Sequence, residues 1–264
     1  MDTINLGRVT LHYRLEGDPD GAPVVFANSL GTDFRLWDKI IPLLPAGLRV
    51  LRFDKRGHGL SSCPEGDYSI DELVDDTADL LQALGISNCL FVGLSIGGLI
   101  AQGLASRYPE LLRAMVISNT GARIGNEELW RDRIATLRAH GIEAIADNIM
   151  ERWFAAEFHE QHALELQAWR NMLTRTPAEG YIGCCAAVAG SDFNHSTAQL
   201  TLPTLAIAGS EDGSTPPDLL RATAALIPGS RLEIIENAGH LPCVEKASQY
   251  ADLLNQFIRD TGHA

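Results

Sequence analysis

Apolar residues along the 264-residue chain gather in short runs separated by longer stretches of mixed polarity. The runs at 8–15, 23–27, 49–53, 89–92, 114–118, 204–208 and 231–235 read as strands. Most are continuous rather than alternating, the pattern of strands covered on both faces. Helical periodicities lie between several of them. The clearest follows Tyr68: Ser69 and Glu72 have capping-box spacing, Ile70, Leu73, Val74, Ala78, Leu81 and Leu84 recur at helical intervals, and Gly85 closes the segment. This alternation predicts an α/β protein with a mostly parallel central sheet flanked by helices, its first strands forming an antiparallel edge.

The alternation breaks between residues 123 and 195, where helical patterns continue without a convincing strand until the signal returns at Thr204. That layout predicts a helical cap inserted into an α/β core. The expected units are a first core segment over 1–122, the cap over 123–195 and a second core segment over 196–264.

Composition narrows the function classes. With 34 Asp and Glu against 21 Lys and Arg, the formal net charge is −13, and no basic run is present to neutralise phosphates, which excludes a nucleic-acid partner. An anionic small molecule remains compatible, because screening over about 8 Å lets one local arginine outweigh distant carboxylates. The five cysteines, Cys63, Cys89, Cys184, Cys185 and Cys243, form no C-x-x-C pair and read as reduced thiols. The first residues lack the basic and apolar regions of a signal peptide, and no apolar run approaches a membrane span, so the cytoplasm is the expected location and no membrane partner is expected.

Gly93-Leu94-Ser95-Ile96-Gly97 is the strongest chemical signal. A strand-like segment precedes it and a helical one follows. A serine on so sharp a strand-to-helix turn is held in strained backbone angles, with its hydroxyl lifted out of the sheet and the helix N-terminus behind it. Serine needs a base, and the base needs a carboxylate to fix its tautomer. Asp212 follows the strand at 204–208, and His240 follows the strand at 231–235, so the chain order is Ser, Asp, His. Glu211 is the neighbour that competes with Asp212. His58 sits in a Gly-flanked turn, and residues 54–61 read as a structural loop bordering the site rather than as the source of the base. The histidines show no H-x-x-x-H spacing and no cluster with cysteine, so no metal is expected; the glycines after Ser95 match no phosphate loop.

Five segments together carry a resemblance: Ala27 to Asp33, Asp54 to Ser61, Gly93 to Gly98, Gly209 to Asp212 and Ala238 to Pro242. The chain resembles the α/β-hydrolase superfamily over essentially its whole length. The Asn28-Ser29-Leu30-Gly31-Thr32-Asp33 run, where many relatives carry His-Gly, points to the enol-lactonase branch of protocatechuate catabolism. The resemblance implies an α/β-hydrolase fold with an inserted helical cap, a catalytic triad of Ser95, Asp212 and His240, and no cofactor. It also implies an oxyanion hole built from the backbone N–H groups of Leu30 and Ile96, where losing one donor typically costs about 3–4 kcal/mol of transition-state stabilisation. The implied substrate is a small anionic lactone, 3-oxoadipate enol-lactone. The rivals are a carboxylesterase or cofactor-free haloperoxidase-like serine hydrolase and, from another class, a ligand-sensing protein that keeps the fold but works by binding.

The cap composition suits an anion. All seven Lys or Arg positions between 123 and 195 are arginines, and three of the four tryptophans, Trp130, Trp153 and Trp169, lie there. Trp130, Ile134 and Leu137 mark an apolar stripe on one helix; Arg133 falls beside it, whereas Arg131 and Arg138 point outward. Arg133 is therefore the candidate for the substrate carboxylate, with Trp130 and Trp153 as pocket walls. A salt bridge to a neighbouring Glu or Asp is the alternative for Arg133.

Overall fold

The computed structural model describes residues 1–263. Eight strands form one sheet: β1 (Asp2–Asn5), β2 (Thr10–Gly17), β3 (Ala22–Ala27), β4 (Leu48–Phe53), β5 (Cys89–Leu94), β6 (Leu112–Ser118), β7 (Thr204–Gly209) and β8 (Arg231–Ile235). Their spatial order is β1-β2-β4-β3-β5-β6-β7-β8. The pairings β1–β2 and β2–β4 are antiparallel, and every pairing from β4 through β8 is parallel. The antiparallel edge is thus where the sequence places it. The additional strand is β1, whose residues are almost all exposed. Its Asp-Thr-Ile-Asn run has no apolar alternation to announce a strand; pairing with β2 imposes the conformation.

Helices α1 (Ile70–Ala83) and α2 (Ile96–Arg107) join the central strands. The capping box predicted for α1 is present in both directions, Ser69 Oγ accepting from the Glu72 N–H and the Glu72 carboxylate accepting from the Ser69 N–H. Strand β5 is buried throughout, as its unbroken apolar sequence requires when helices cover both faces.

Between β6 and β7 the chain is helical, with α3 (Glu127–His140), α4 (Glu143–Trp153), α5 (Ala156–Gln161), α6 (Ala163–Thr174), α7 (Ala178–Ala189) and α8 (Asn194–Thr197). This insertion leaves and rejoins the core at one place, because Phe193 N–H donates to the Ala122 carbonyl at 2.8 Å. After β7, α9 (Pro217–Ala225) leads to β8, and α10 (Pro242–Glu245) with α11 (Ala247–Asp260) completes the fold. No helix among the described residues is long and apolar enough to cross a membrane.

Strand order locates a candidate crevice. The chain runs from β3 outward to β4, then returns through α1 to β5 on the other side of β3. The loops that follow β3 and β5 therefore diverge at the carboxyl end of the sheet, and such a divergence opens a cleft between them. The loop after β3 holds Leu30, and the loop after β5 holds Ser95.

Candidate active site

Ser95 occupies the turn between β5 and α2 at φ 59° and ψ −117°, outside the regions a non-glycine residue normally adopts. Neighbours hold it there. Its N–H donates to the Ser118 carbonyl of β6 at 2.9 Å, and its carbonyl accepts the Thr120 hydroxyl at 2.7 Å. The flanking glycines are needed for space: a Cβ on Gly93 would overlap the Gly97 carbonyl, and one on Gly97 would overlap the Ala27 carbonyl of β3.

His240 follows β8 and is 2% exposed; Asp212 follows β7 and is 4% exposed. Parallel pairing of these strands sets the two loops side by side. The His240 Nδ1 lies 2.9 Å from Asp212 Oδ2 and 3.0 Å from Oδ1. The carboxylate also accepts the Ser214 N–H at 2.7 Å, the Thr215 N–H at 2.9 Å, the Thr215 hydroxyl at 2.7 Å and the Asn119 side-chain N–H at 2.8 Å. Burial alone would raise the Asp212 carboxyl, but the His240 ring and these donors outweigh it and hold the group below its ordinary value. Glu211, the competing carboxylate, is exposed and makes no hydrogen bond to the ring among the described residues.

Ser95, His240, Leu30, Trp130, Arg133 and Trp153 all line one cavity. The His240 Nε2 lies 3.4 Å from the Ser29 hydroxyl, and Ser95 Oγ makes no hydrogen bond to the imidazole among the described residues. The N–H groups of Leu30 and Ile96 are not consumed by any protein acceptor among the described residues, which leaves both available to a ligand. His58 does not face this chemistry; it is buried behind the loop after β3.

The roof of the cavity comes from the helical insertion. Arg133 stacks on Trp130, with its guanidinium carbon 4.9 Å from the ring centroid, and has no ion-pair partner among the described residues. Arg131 and Arg138 are exposed and paired with Asp132 and Asp67. The indole N–H of Trp130 is held by the Ile124 carbonyl at 2.7 Å, which fixes the wall. A second guanidinium, from Arg152, also lines the cavity, and its Nε donates to the Gly213 carbonyl at 2.8 Å. Burial, then the neighbouring Arg133 charge, lower the Arg152 guanidinium from its ordinary value. Arg152 was legible by the reasoning that selects Arg133, since it stands three residues after buried Ile149 on α4. Asn119 and Thr215 had no such signal; their role depends on β6 lying beside β7.

A larger cavity, of about 810 Å³, lies elsewhere between the core and α6, lined by His12, Asp54, Trp169 and Arg175 among others. Its acidic and basic groups are largely matched within the protein, as in His12–Asp54, Arg35–Asp33 and Lys39–Glu165. None of the predicted site residues lines it.

Residues 22–247 match the family described as alpha/beta hydrolase fold. The chain is 35% identical over 249 residues to 3-oxoadipate enol-lactonase 2 of Acinetobacter baylyi, covering 94% of this chain and 93% of that protein. It is 31% identical to 3-oxoadipate enol-lactonase 1 of the same organism, covering 95% and 93%. Among solved structures, the enol-lactonase from Burkholderia xenovorans LB400 superposes with a TM-score of 0.95 at 33% identity, covering 98% of this chain and 100% of that one. The chain belongs to the alpha/beta hydrolase fold family, and it is a hydrolase enzyme. Within that family it is similar over nearly its full length to the 3-oxoadipate enol-lactonases.

Proposed function

We propose that the protein hydrolyses 3-oxoadipate enol-lactone to 3-oxoadipate in aromatic catabolism, in the cytoplasm, with the insertion over 123–195 acting as a cap over the site. The observation that carries this reading is the pair of arginines, Arg133 and Arg152, that line the Ser95 cavity with no salt-bridge partner among the described residues. Two guanidiniums without a salt bridge in one cleft favour an anionic substrate and disfavour a neutral ester. The names of the relatives agree with that chemistry.

In this reading Ser95 Oγ attacks the lactone carbonyl while His240 Nε2 takes its proton, and Asp212 steadies the imidazolium. The tetrahedral oxyanion accepts the Leu30 and Ile96 N–H groups, whose stabilisation acts on charge absent from the ground state. Collapse breaks the ring C–O bond, and His240 returns its proton to the departing enolate. The resulting enol becomes a ketone, which removes the ring-closing nucleophile and draws the reaction toward hydrolysis. Water, deprotonated by His240, then releases the acyl group from Ser95. Arg133 and Arg152 hold the carboxymethyl group between the walls Trp130 and Trp153. The residues supply every proton transfer, and no cofactor enters the scheme.

The test is turnover of the enol-lactone against neutral aryl esters by the purified protein and by Arg133→Met and Arg152→Met. The expected result is a preference for the lactone and a loss of about 10- to 100-fold in kcat/KM on it in each variant, with ester turnover retained. Esters turned over far better than the lactone would favour a carboxylesterase instead. Equal loss on both substrates would assign the arginines a structural role.

A further inference from the structure

The loop after β3 must present one amide to the reacting carbonyl, and its own turn secures that only in part. Residues Ser29 to Thr32 form a β-turn in which the Thr32 N–H donates to the Ser29 carbonyl at 3.3 Å. Gly31 stands at φ 78° in the position that a type II turn gives to glycine. A glycine there lets the central 30–31 peptide rotate at little steric cost, so that peptide needs support from outside the turn, whereas the Ser29 carbonyl of the 29–30 peptide already accepts the Thr32 hydroxyl at 3.0 Å within it.

Two buried side chains from the loop after β4 supply it. Lys55, 4% exposed, donates from Nζ to the Ser29 carbonyl at 2.7 Å and lies 3.4 Å and 3.5 Å from the carbonyls of Asn28 and Thr32. Burial pushes its ammonium down to about 8, so the cation is held there against a desolvation cost that an apolar side chain would avoid. His58, with no exposure, accepts the Gly31 N–H on Nε2 at 2.9 Å. Its Nδ1 faces the Arg56 carbonyl at 3.3 Å, so the neutral tautomer protonated on Nδ1 satisfies both neighbours. Burial, then the Lys55 charge, hold this ring well below its ordinary value, which keeps Nε2 an acceptor.

Peptide planarity turns these two contacts into aim. The Ser29 carbonyl and the Leu30 N–H belong to one trans peptide and point in opposite directions. Anchoring that carbonyl on Lys55, on the buried side, turns the Leu30 N–H away from the interior. Leu30 and Ser29 line the cavity on that other side. The next peptide is fixed at its Gly31 N–H by His58. We propose that Lys55 and His58 are positioning residues of the oxyanion hole, locking the 29–30 and 30–31 peptide planes so that the Leu30 N–H meets the oxyanion formed at Ser95. This rests on the acyl-transfer reading of the Ser95 site, not on which ester or lactone is opened.

The experiment uses two readouts of the full-length enzyme: the acylation rate constant from the p-nitrophenol burst on p-nitrophenyl acetate, and the affinity for phenylboronic acid. The boronic acid adds to the serine hydroxyl as a tetrahedral adduct and so reports oxyanion stabilisation. For Lys55→Met and His58→Leu, acylation is expected to slow about 10- to 100-fold, with the boronate affinity falling in parallel and the substrate Kd changed less than about threefold. His58→Gln, whose side-chain oxygen can accept from Gly31, recovers most of the loss. Should Lys55→Met fail to fold, the two His58 variants carry the test alone. Folded variants that keep both readouts within about twofold of the native enzyme overturn the proposal, as does slowed acylation with boronate affinity intact. Ser95→Ala, run alongside, separates the two levels. Activity surviving in it removes the acyl-transfer reading itself, whereas its inactivity beside unaffected Lys55 and His58 variants removes only the positioning role.

Discussion

At the scale of single residues, the carboxylate proposed for the triad shows how context assigns a role. Asp212 accepts hydrogen bonds from Ser214, Thr215, Asn119 and His240, and every one of those groups donates. Asn at this position would turn an N–H toward donors, and the imidazole would lose the partner that fixes its tautomer. Asp212→Asn is therefore expected to lower kcat by about 10⁴-fold, and Ser95→Ala by on the order of 10⁶-fold. Steady-state assays check both, with circular dichroism to verify folding. Ser95, Asp212 and His240 are legible in the sequence because each stands just after a strand signal and within a short local motif. Asn119 and Thr215 are not, because their significance arises only when β6 and β7 lie side by side. Arg133 and Arg152 fall between these cases: helical spacing places them beside an apolar stripe, but only packing of the insertion over Ser95 brings them to one cavity with no salt-bridge partner among the described residues.

At the scale of elements, the loop that carries His240 is clamped to the helical insertion. The His240 N–H donates to the Trp153 carbonyl at 2.8 Å at the end of α4. Glu245, at the end of α10, accepts the Gly239 N–H at 2.7 Å on one carboxylate oxygen and the Ala155 N–H at 2.8 Å on the other. Burial pushes Glu245 up to about 7 despite those two donors. The sign of its pH effect follows: between its ordinary value of 4.5 and about 7, the folded state binds a proton that the unfolded state has lost. The stability it contributes is full below 4.5 and declines as pH rises through that window. Asp212, lowered in the same neighbourhood, works the other way, and its contribution is lost only as acid protonates it. Compared with Glu245→Gln, the native enzyme should lose stability between about pH 5 and about pH 8, measured by urea unfolding at the two values. A difference constant with pH would show that Glu245 does not titrate there. Most elements were legible at this scale, α1 with its capping box in particular. Strand β1 was not, because an exposed edge strand needs no apolar pattern when a neighbour supplies its hydrogen bonds.

At the scale of the whole molecule, the insertion and the sheet share one interior. Trp130, Leu137, Ile149, Trp153, Phe154, Trp169, Leu173 and Tyr181 of the insertion belong to the same buried cluster as the strands and their helices. Backbone bonds stitch the boundary at four places, through Phe193 to Ala122, Tyr68 to Gly183, His240 to Trp153 and Gly213 to Arg152. An insertion that merely rested on the core would melt separately and leave the loops of Asp212 and His240 in place. Here the His240 loop takes part of its position from the insertion, so loss of one should unfasten the other. In a Trp37→Phe variant the remaining tryptophans, Trp130, Trp153 and Trp169, all lie in the insertion, so their fluorescence follows it while far-ultraviolet dichroism follows the whole chain. The two probes are expected to give one midpoint in urea, and loss of activity should coincide with it. Fluorescence changing at lower urea than the dichroism would show an insertion that opens by itself.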